Sequence, residues 1–235
     1  MKAIKHICAI SILSITISCG KIEPKGDIVS KDYPVEAFQN VQLSGKYKVF
    51  FVSSGQNFVN IESYQNIADN LKIEVKNNTL MISEKRETEA IDFYNLVIYS
   101  KTPLQSITAG DDVEFNVSGE IKGENVRVDL KNNAKFIGSI RSKMATVEMK
   151  DLSRANFIGE TQNATIKIAD TANIIAPYWQ ISTLDLEAKN GNYTEVNVKD
   201  TLKGNIRNTS KLVFYSEPVK VFKADKTASI KQQKL

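Results

Sequence analysis

The sequence predicts an all-β protein, a β-helix or β-solenoid of about six coils preceded by a smaller β-sheet portion. Three observations carry that expectation. One cadence recurs six times: two aliphatic residues alternate, a polar turn follows, and a small residue then precedes a large apolar one two places on. Its copies start at Ile107, Val128, Val147, Ile166, Leu184 and Gly204, in steps of 21, 19, 19, 18 and 20 residues, and a fixed period of that size marks a stacked repeat. Second, the alternation has period two and is rich in β-branched residues, which opposes a helical repeat. Third, Gly110-Asp111-Asp112, Lys131-Asn132-Asn133 and Arg207-Asn208-Thr209 are turns of residues that accept left-handed backbone or bond their own main chain.

Taken in order, residues 1–18 read as an export signal. Lys2 and Lys5 make a basic start, and the apolar run 7–17 is too short to span a bilayer as a permanent helix. The run closes on Thr16-Ile17-Ser18-Cys19-Gly20, which resembles a bacterial lipobox with Thr16 in the usual leucine position. That resemblance implies acylation of Cys19, a membrane partner through the N-terminal lipid, and an outer-membrane lipoprotein with surface exposure as a further expectation. Residues 19–34 are expected to be lipid anchor and tether, since Lys21 to Ser30 is polar and holds Pro24 and Gly26.

Residues 35–90 are expected to form the N-terminal β portion. Val41, Leu43, Tyr47, Val49 and Phe51 alternate around a Ser44-Gly45-Lys46 turn. Phe58-Val59-Asn60-Ile61 reads as a strand, Gln65 to Asn70 as a helical turn, and Ile73 to Met81 as a paraphrase of the copy at Val128. The charged break from Lys85 to Ala90 marks the boundary. The solenoid is placed at 91–220, opening with the buried-type strand Leu96-Val97-Ile98-Tyr99, and residues 221–235 are left as a C-terminal tail.

Laid over one another, the copies give four apolar columns, since strands about 4.8 Å apart set equivalent side chains above each other. The first holds Ile107, Val128, Val147, Ile166, Leu184 and, as exception, Gly204; the second holds Ala109, Leu130, Met149, Ile168, Leu186 and Ile206. After the turn come Val113, Ala134, Ala155, Ala172, Gly191 and Ser210, mostly small, then Phe115, Phe136, Phe157, Ile174, Tyr193 and Leu212. The interior is thereby assigned to packing.

The cadence, its closing Leu212-Val213-Phe214-Tyr215-Ser216-Glu217-Pro218 and the opening Phe38-Gln39-Asn40-Val41 with Leu43 and Gly45 resemble the family of putative auto-transporter adhesin head GIN domains. The resemblance covers about residues 35 to 220. It implies a β-helical fold of stacked coils on secreted or lipid-anchored envelope proteins, and it brings no catalytic residues.

Composition narrows the chemistry. The only histidine, His6, and the only cysteines, Cys8 and Cys19, lie in the first 19 residues, so the body lacks the groups for histidine or cysteine catalysis and for the usual zinc sites. Without Lys2 and Lys5, 29 basic residues face 27 acidic ones, and lysines alternate with acids at outward positions. Nucleic acid is therefore not an expected partner, and no cofactor, metal or catalytic residue is assigned. A β-helical polysaccharide enzyme is the alternative of another class, with Asp111, Asp112, Glu114 and Arg127 as its carboxylate and basic set. Calcium along Asp111, Asn132, Asp151, Asp170, Asn190 and Asn208 is a second, although the glycine-rich spacing of repeat calcium sites is missing. Asp170-Thr171-Ala172 and Asp200-Thr201-Leu202 resemble a bacterial O-glycosylation triplet. Tyr178 and Trp179, after Pro177, are candidate ligand contacts that could stack on a sugar ring, against the plainer reading of a corner-filling cluster. The expected function is a non-catalytic, lipid-anchored, adhesin-like binding or scaffolding module for a glycan or surface protein; a purely structural envelope spacer is the third reading.

Overall fold

A computed structural model describes residues 20–89 and 91–235; the export signal at 1–18 and Cys19 lie outside the described residues. In chain order the elements are β1 Ile28–Pro34, β2 Asn40–Ser44, β3 Lys48–Ser53, β4 Phe58–Tyr64, α1 Gln65–Ala68, β5 Leu71–Lys76, β6 Thr79–Glu84, β7 Tyr94–Ser100, β8 Ser106–Ala109, β9 Glu114–Leu130, β10 Lys135–Met149, β11 Arg154–Ala169, β12 Asn173–Lys189, β13 Tyr193–Ile206, β14 Lys211–Tyr215, β15 Val219–Ala224 and β16 Ser229–Gln233. They make a nearly all-β solenoid of about seven turns.

The long strands β9 to β13 stack parallel, one per coil. Between β9 and β10 the pairing falls into three runs, 114–116 on 135–137, 120–123 on 139–142 and 125–130 on 144–149. Each strand thus wraps the core in three stretches before a short turn hands the chain to the next coil.

Inside runs an aromatic stack. Ring centroids are 6.3 Å apart for Phe51 and Phe115, 6.0 Å for Phe115 and Phe136, 4.9 Å for Phe136 and Phe157, and 4.8 Å for Phe157 and Trp179. Register puts Ala155 on Phe136 and Phe157 on Gly138, so bulky and small residues interdigitate between coils, as dense cores require.

Each of the four columns departs from its expected register: in the copy at Val147, Ala155 pairs with Phe136 and Ile174 in the large-residue column and buried Ser153 takes the small place. In the copy at Leu184 the first two columns move. Ile166 pairs with Leu186, not Leu184, and Ile168 with Ala188. Both leucines point inward, so local alternation fits either choice, and only the ladder to the neighbouring coil decides. After the turn of the fifth copy the buried small position belongs to Asn192 rather than Gly191. Its amide donates to the carbonyls of Ile168 and Lys189, satisfying turn oxygens that burial would otherwise leave unpaired. Tyr193 is consequently turned outward, half-exposed, and Thr194 takes the inner place.

The N-terminal portion is built of coils as well as hairpins. β2 pairs parallel with both β6 and β8, and β3 with both β7 and β9. The earliest coil in the chain, β2–β3, therefore sits second in the stack, between β6–β7 and β8–β9. The end is closed by antiparallel β5 on β6, β4 on β7 and β1 on β4. The break at 85–90 runs through the β6–β7 coil, so it separates no independent bodies. Part of the expected tether belongs to this cap: β1 is paired along its length, Ile22 bonds the main chain of Glu87 and Glu89, and Ile22, Val29 and Tyr33 pack on the core. The expected tail also folds, with β15 parallel on β13 and β16 parallel on β14. It escapes the cadence because β15 sets Lys220 in the inner column, registered on Leu202, and leaves Val219 and Val221 exposed, which inverts the expected alternation.

The turn edge behaves as the turn residues predict. Asp111, Asn132, Asp151, Asp170, Asn190 and Asn208 all hold positive φ, between 52° and 68°. Their side chains also bridge coils: Asn132 Nδ2 donates to Asp111 Oδ1 at 3.1 Å, its main-chain N–H donates to Asp151 Oδ2 at 2.9 Å, and Asn208 Nδ2 donates to Asn190 Oδ1 at 3.1 Å. Asp225 ends the series by accepting the N–H groups of Asn208, Thr227 and Ala228, which holds its carboxyl down at about 2. Asn132→Ala is expected to cost about 1–2 kcal/mol, from left-handed strain plus a lost inter-coil bond. Asn132→Gly should cost less because it relieves the strain. Chemical denaturation of the two variants checks the order.

Candidate functional site

Pro177 forces the local geometry on which the candidate contacts depend. Between β12 and β13 the register jumps, with Ala176 on Val196 but Gln180 on Asn197. Residues 177–179 therefore bulge out of the ladder, as suits a residue without an N–H. Asn197 Nδ2 donates to the Pro177 carbonyl at 3.2 Å and Ser216 Oγ donates to Asn197 Oδ1 at 2.8 Å, which pins the bulge to the next two coils. Within it the two neighbouring aromatics part company.

Trp179 is fully buried, and its Nε1 donates to Thr161 Oγ1 at 3.0 Å. It cannot meet a ligand, and its place as a candidate contact is corrected: it ends the aromatic stack by packing on Phe157. Tyr178 is 70% exposed.

Around Tyr178 the outer face carries residues that the sequence reading missed. Register aligns Ile175, Glu195 and Val213 in one outward column and Asn173, Tyr193 and Lys211 in the next, while Ile158 pairs with Tyr178. Glu195 accepts two phenolic hydrogen bonds, from Tyr215 to Oε1 at 2.6 Å and from Tyr193 to Oε2 at 3.0 Å. Donation to Glu195 pushes the Tyr215 hydroxyl up to about 12, with burial, the Glu195 charge, Tyr193 and, least, Tyr178 adding to it. Burial and then the bond to Glu195 raise Tyr193 as well. Both phenols therefore stay protonated near neutrality and remain donors. Ile158 and Ile175 are about half exposed, at 51% and 46%. The signal for this cluster was the outward parity of Tyr193 and Glu195, hidden by the one-residue slip at Gly191.

The other candidates are dispersed. Asp111 engages Ser44 and Asn132, Asp112 accepts from Asn133, and Glu114 lies between Lys48 and Lys135 at 3.5 and 3.6 Å. Arg127, at the far end of β9, pairs with Asp129 at 2.8 Å and Glu148 at 3.2 Å. Asp111 and Asp112 share a pocket with Lys46, Glu84 and Glu87, whereas Arg127 lies at the other end of β9, so the four side chains do not form one cluster. Side-chain oxygens of Asp111, Asp151, Asp170 and Asn190 accept hydrogen bonds in the coil-to-coil ladder, and among the described residues no group of three or more acidic, histidine or cysteine side chains is arranged to hold a metal. Thr171 is exposed, with its hydroxyl bonded to the Asp151 carbonyl. A groove of about 470 Å³ runs past Arg127, Lys131, Lys150, Lys167, Lys189 and Arg207, and within it Asp129, Glu148 and Glu187 pair with Arg127, Lys167 and Arg207.

Residues 37–218 match the family model described as putative auto-transporter adhesin, head GIN domain. The chain belongs to that family. Solved structures share its fold. A putative adhesin of Bacteroides fragilis NCTC 9343 superposes with a TM-score of 0.78 at 17% identity, covering 90% of this chain and 100% of that one. A putative lipid binding protein of Parabacteroides distasonis ATCC 8503 gives 0.74 at 15%, over 91% and 100%. A putative adhesin of Parabacteroides merdae ATCC 43184 gives 0.71 at 12%, over 91% and 99%. At these identities the likeness speaks for the fold alone. No curated protein matches the chain.

Proposed function

We propose that the head GIN domain here is a non-catalytic, adhesin-like binding module, held on the outer membrane by a lipid on Cys19, that meets its ligand through the outer face around Tyr178. The observation that carries this is the division of labour at the bulge: packing and hydrogen bonding account for Trp179, whereas Tyr178 stands in solvent above apolar neighbours. Membership of an adhesin-described family supports the same reading. A lipid-binding role, in the manner named for the Parabacteroides distasonis neighbour, finds less support, because the Phe51-to-Trp179 stack occupies the interior an acyl chain would need.

The test uses the full chain expressed in a Gram-negative host. Wild type is expected in the membrane fraction, cleaved by protease added to intact cells, and able to raise cell retention on a glycan- or matrix-coated surface. Several acyl chains at about 0.8 kcal/mol per buried CH₂ hold a protein stably, so Cys19→Ala should move it out of the membrane fraction. Unchanged membrane association of Cys19→Ala would remove the anchor, and no difference in cell retention from cells lacking the protein would remove the adhesive role.

A further inference from the structure

We infer that Tyr178, Glu195, Ile158 and Ile175 form a subsite for an uncharged pyranose, with Tyr178 as the stacking platform and Glu195 as the hydroxyl acceptor. The inference rests on the adhesin-like reading above and gives it a ligand class.

The two features a sugar ring needs lie on adjacent coils, on either side of the corner between the first and second stretches, and are linked by Tyr215, which donates to Glu195 and lies near Tyr178. A pyranose presents a patch of C–H bonds on one side and hydroxyl donors around its rim, so its receptor wants an exposed aromatic face beside a strong acceptor. Tyr178 supplies the face: its ring is 70% exposed, and the Pro177 bulge that carries it is tied to Asn197 and Ser216. Because the bulge is pinned, little freedom of the ring's backbone is lost on binding. Ile158, registered against Tyr178, and Ile175, one column over, extend the apolar floor.

Glu195 supplies the acceptor. A carboxylate offers about four lone-pair positions, and Tyr215 and Tyr193 each use one, on different oxygens. Each oxygen keeps one position, which matches the paired hydroxyls of a vicinal diol. The two phenols also fix the carboxylate plane, so it is oriented before ligand arrives. Inter-coil stitching accounts for the Tyr193–Glu195–Tyr215 triad by itself, but it leaves the exposed Tyr178 ring without a task. At the acceptor position itself the Glu195 carboxylate disfavours a uronate or sulfate, so an uncharged ring is favoured there, while Lys211 and Lys231 stand in the neighbouring register positions and make the acidic polymers a necessary comparison. The site is shallow, so single-site affinity is low and retention depends on many copies on one cell surface.

The experiment passes the full-length lipidated chain, in detergent micelles, over beads carrying dextran, mannan or galactan, with polygalacturonate and heparin beads alongside. Retention on at least one uncharged polymer is expected, reduced tenfold or more by Tyr178→Ala with an unchanged melting temperature, and reduced comparably by Glu195→Gln. Tyr193→Phe, which removes one stitch but keeps platform and acceptor, should reduce retention less than threefold. If Glu195→Gln fails to fold, Tyr178→Ala and Tyr193→Phe still decide. Absence of retention on every uncharged polymer, or equal retention of Tyr178→Ala and wild type, overturns the subsite. Retention confined to the acidic polymers, or capture of a protein partner unaffected by Tyr178→Ala, overturns it too. Should cells still adhere through the wild-type protein in any of those cases, the adhesive role stands and only the sugar subsite falls; loss of adhesion in wild type takes the broader reading with it.

Discussion

Trp179→Ala is expected to destabilise the protein by about 3–5 kcal/mol, the usual cost of emptying a buried large aromatic site. Against a typical total of roughly 5–15 kcal/mol, that is a large share. The cause is specific to its position. Trp179 closes a stack whose last step is 4.8 Å from Phe157, and its Nε1 donates to Thr161, whose hydroxyl lies 3.1 Å from that of Ser142 in the coil before. Truncation therefore opens a cavity and unpicks a polar contact in one change. Trp179→Phe keeps most of the stacking and loses the N–H, so about 1 kcal/mol is expected. Because Trp179 is the only tryptophan, its emission reports its own burial: blue-shifted in the folded wild type and red-shifted on denaturation. Urea titration followed by circular dichroism gives the free energies. A Trp179→Ala midpoint equal to wild type would contradict the packing described.

Gly204→Ala is the second large effect, with an expected loss of about 3 kcal/mol or more. Gly204 has φ near +125°, which side chains rarely adopt, and a Cβ there would lie 2.0 Å from the Leu186 carbonyl oxygen and 2.7 Å from its carbon and nitrogen. Those atoms are ladder backbone of the preceding coil, so relief requires β12 and β13 to separate. Gly119→Ala isolates the conformational part, since Gly119 has φ near +106° but nothing within 4 Å of the added carbon. It should cost only about 1–2 kcal/mol of backbone strain. The difference between the two variants measures how tightly adjacent coils approach, and equal losses would mean that the coils yield easily.

Gly204 also shows what the sequence made legible. It appeared as the exception in an otherwise aliphatic column, and the reason is its contact with Leu186, which no residue larger than glycine fits. The period, the strands and the left-handed turn residues could be read because each is local: Asn132 needs only its own backbone to declare a turn. Three features depended on partners far along the chain. The choice of Leu186 over Leu184 rests on pairing with Ile166 and Gly204. The placement of β2–β3 second in the stack rests on β6 and β7 folding back outside it. The last coil, β15–β16, rests on β13 and β14 as templates, because the inverted alternation of β15 does not announce one.

The candidate site was half legible for a related reason. Tyr178 and Trp179 stood out as an aromatic pair, but a bulge inverts the parity of every residue after it, so which ring faces water could not be read from alternation. Glu195 and Tyr215 drew no attention because neither carries a motif. Their significance comes from the hydrogen bond that joins them between β13 and β14, with Tyr193 of β13 as the second donor to Glu195.

Function, on this account, lies on the outer face of coils β12 to β14, since packing and paired polar groups occupy the interior and most of the turn edge. The most direct measurement is a residue-resolved NMR titration of the full chain with the uncharged oligosaccharide that retains it best. Shifts concentrated at Ile158, Tyr178, Tyr193, Glu195 and Tyr215 are predicted. Shifts centred instead on the basic groove from Lys131 to Arg207, or no localised shifts at saturating sugar, would contradict it.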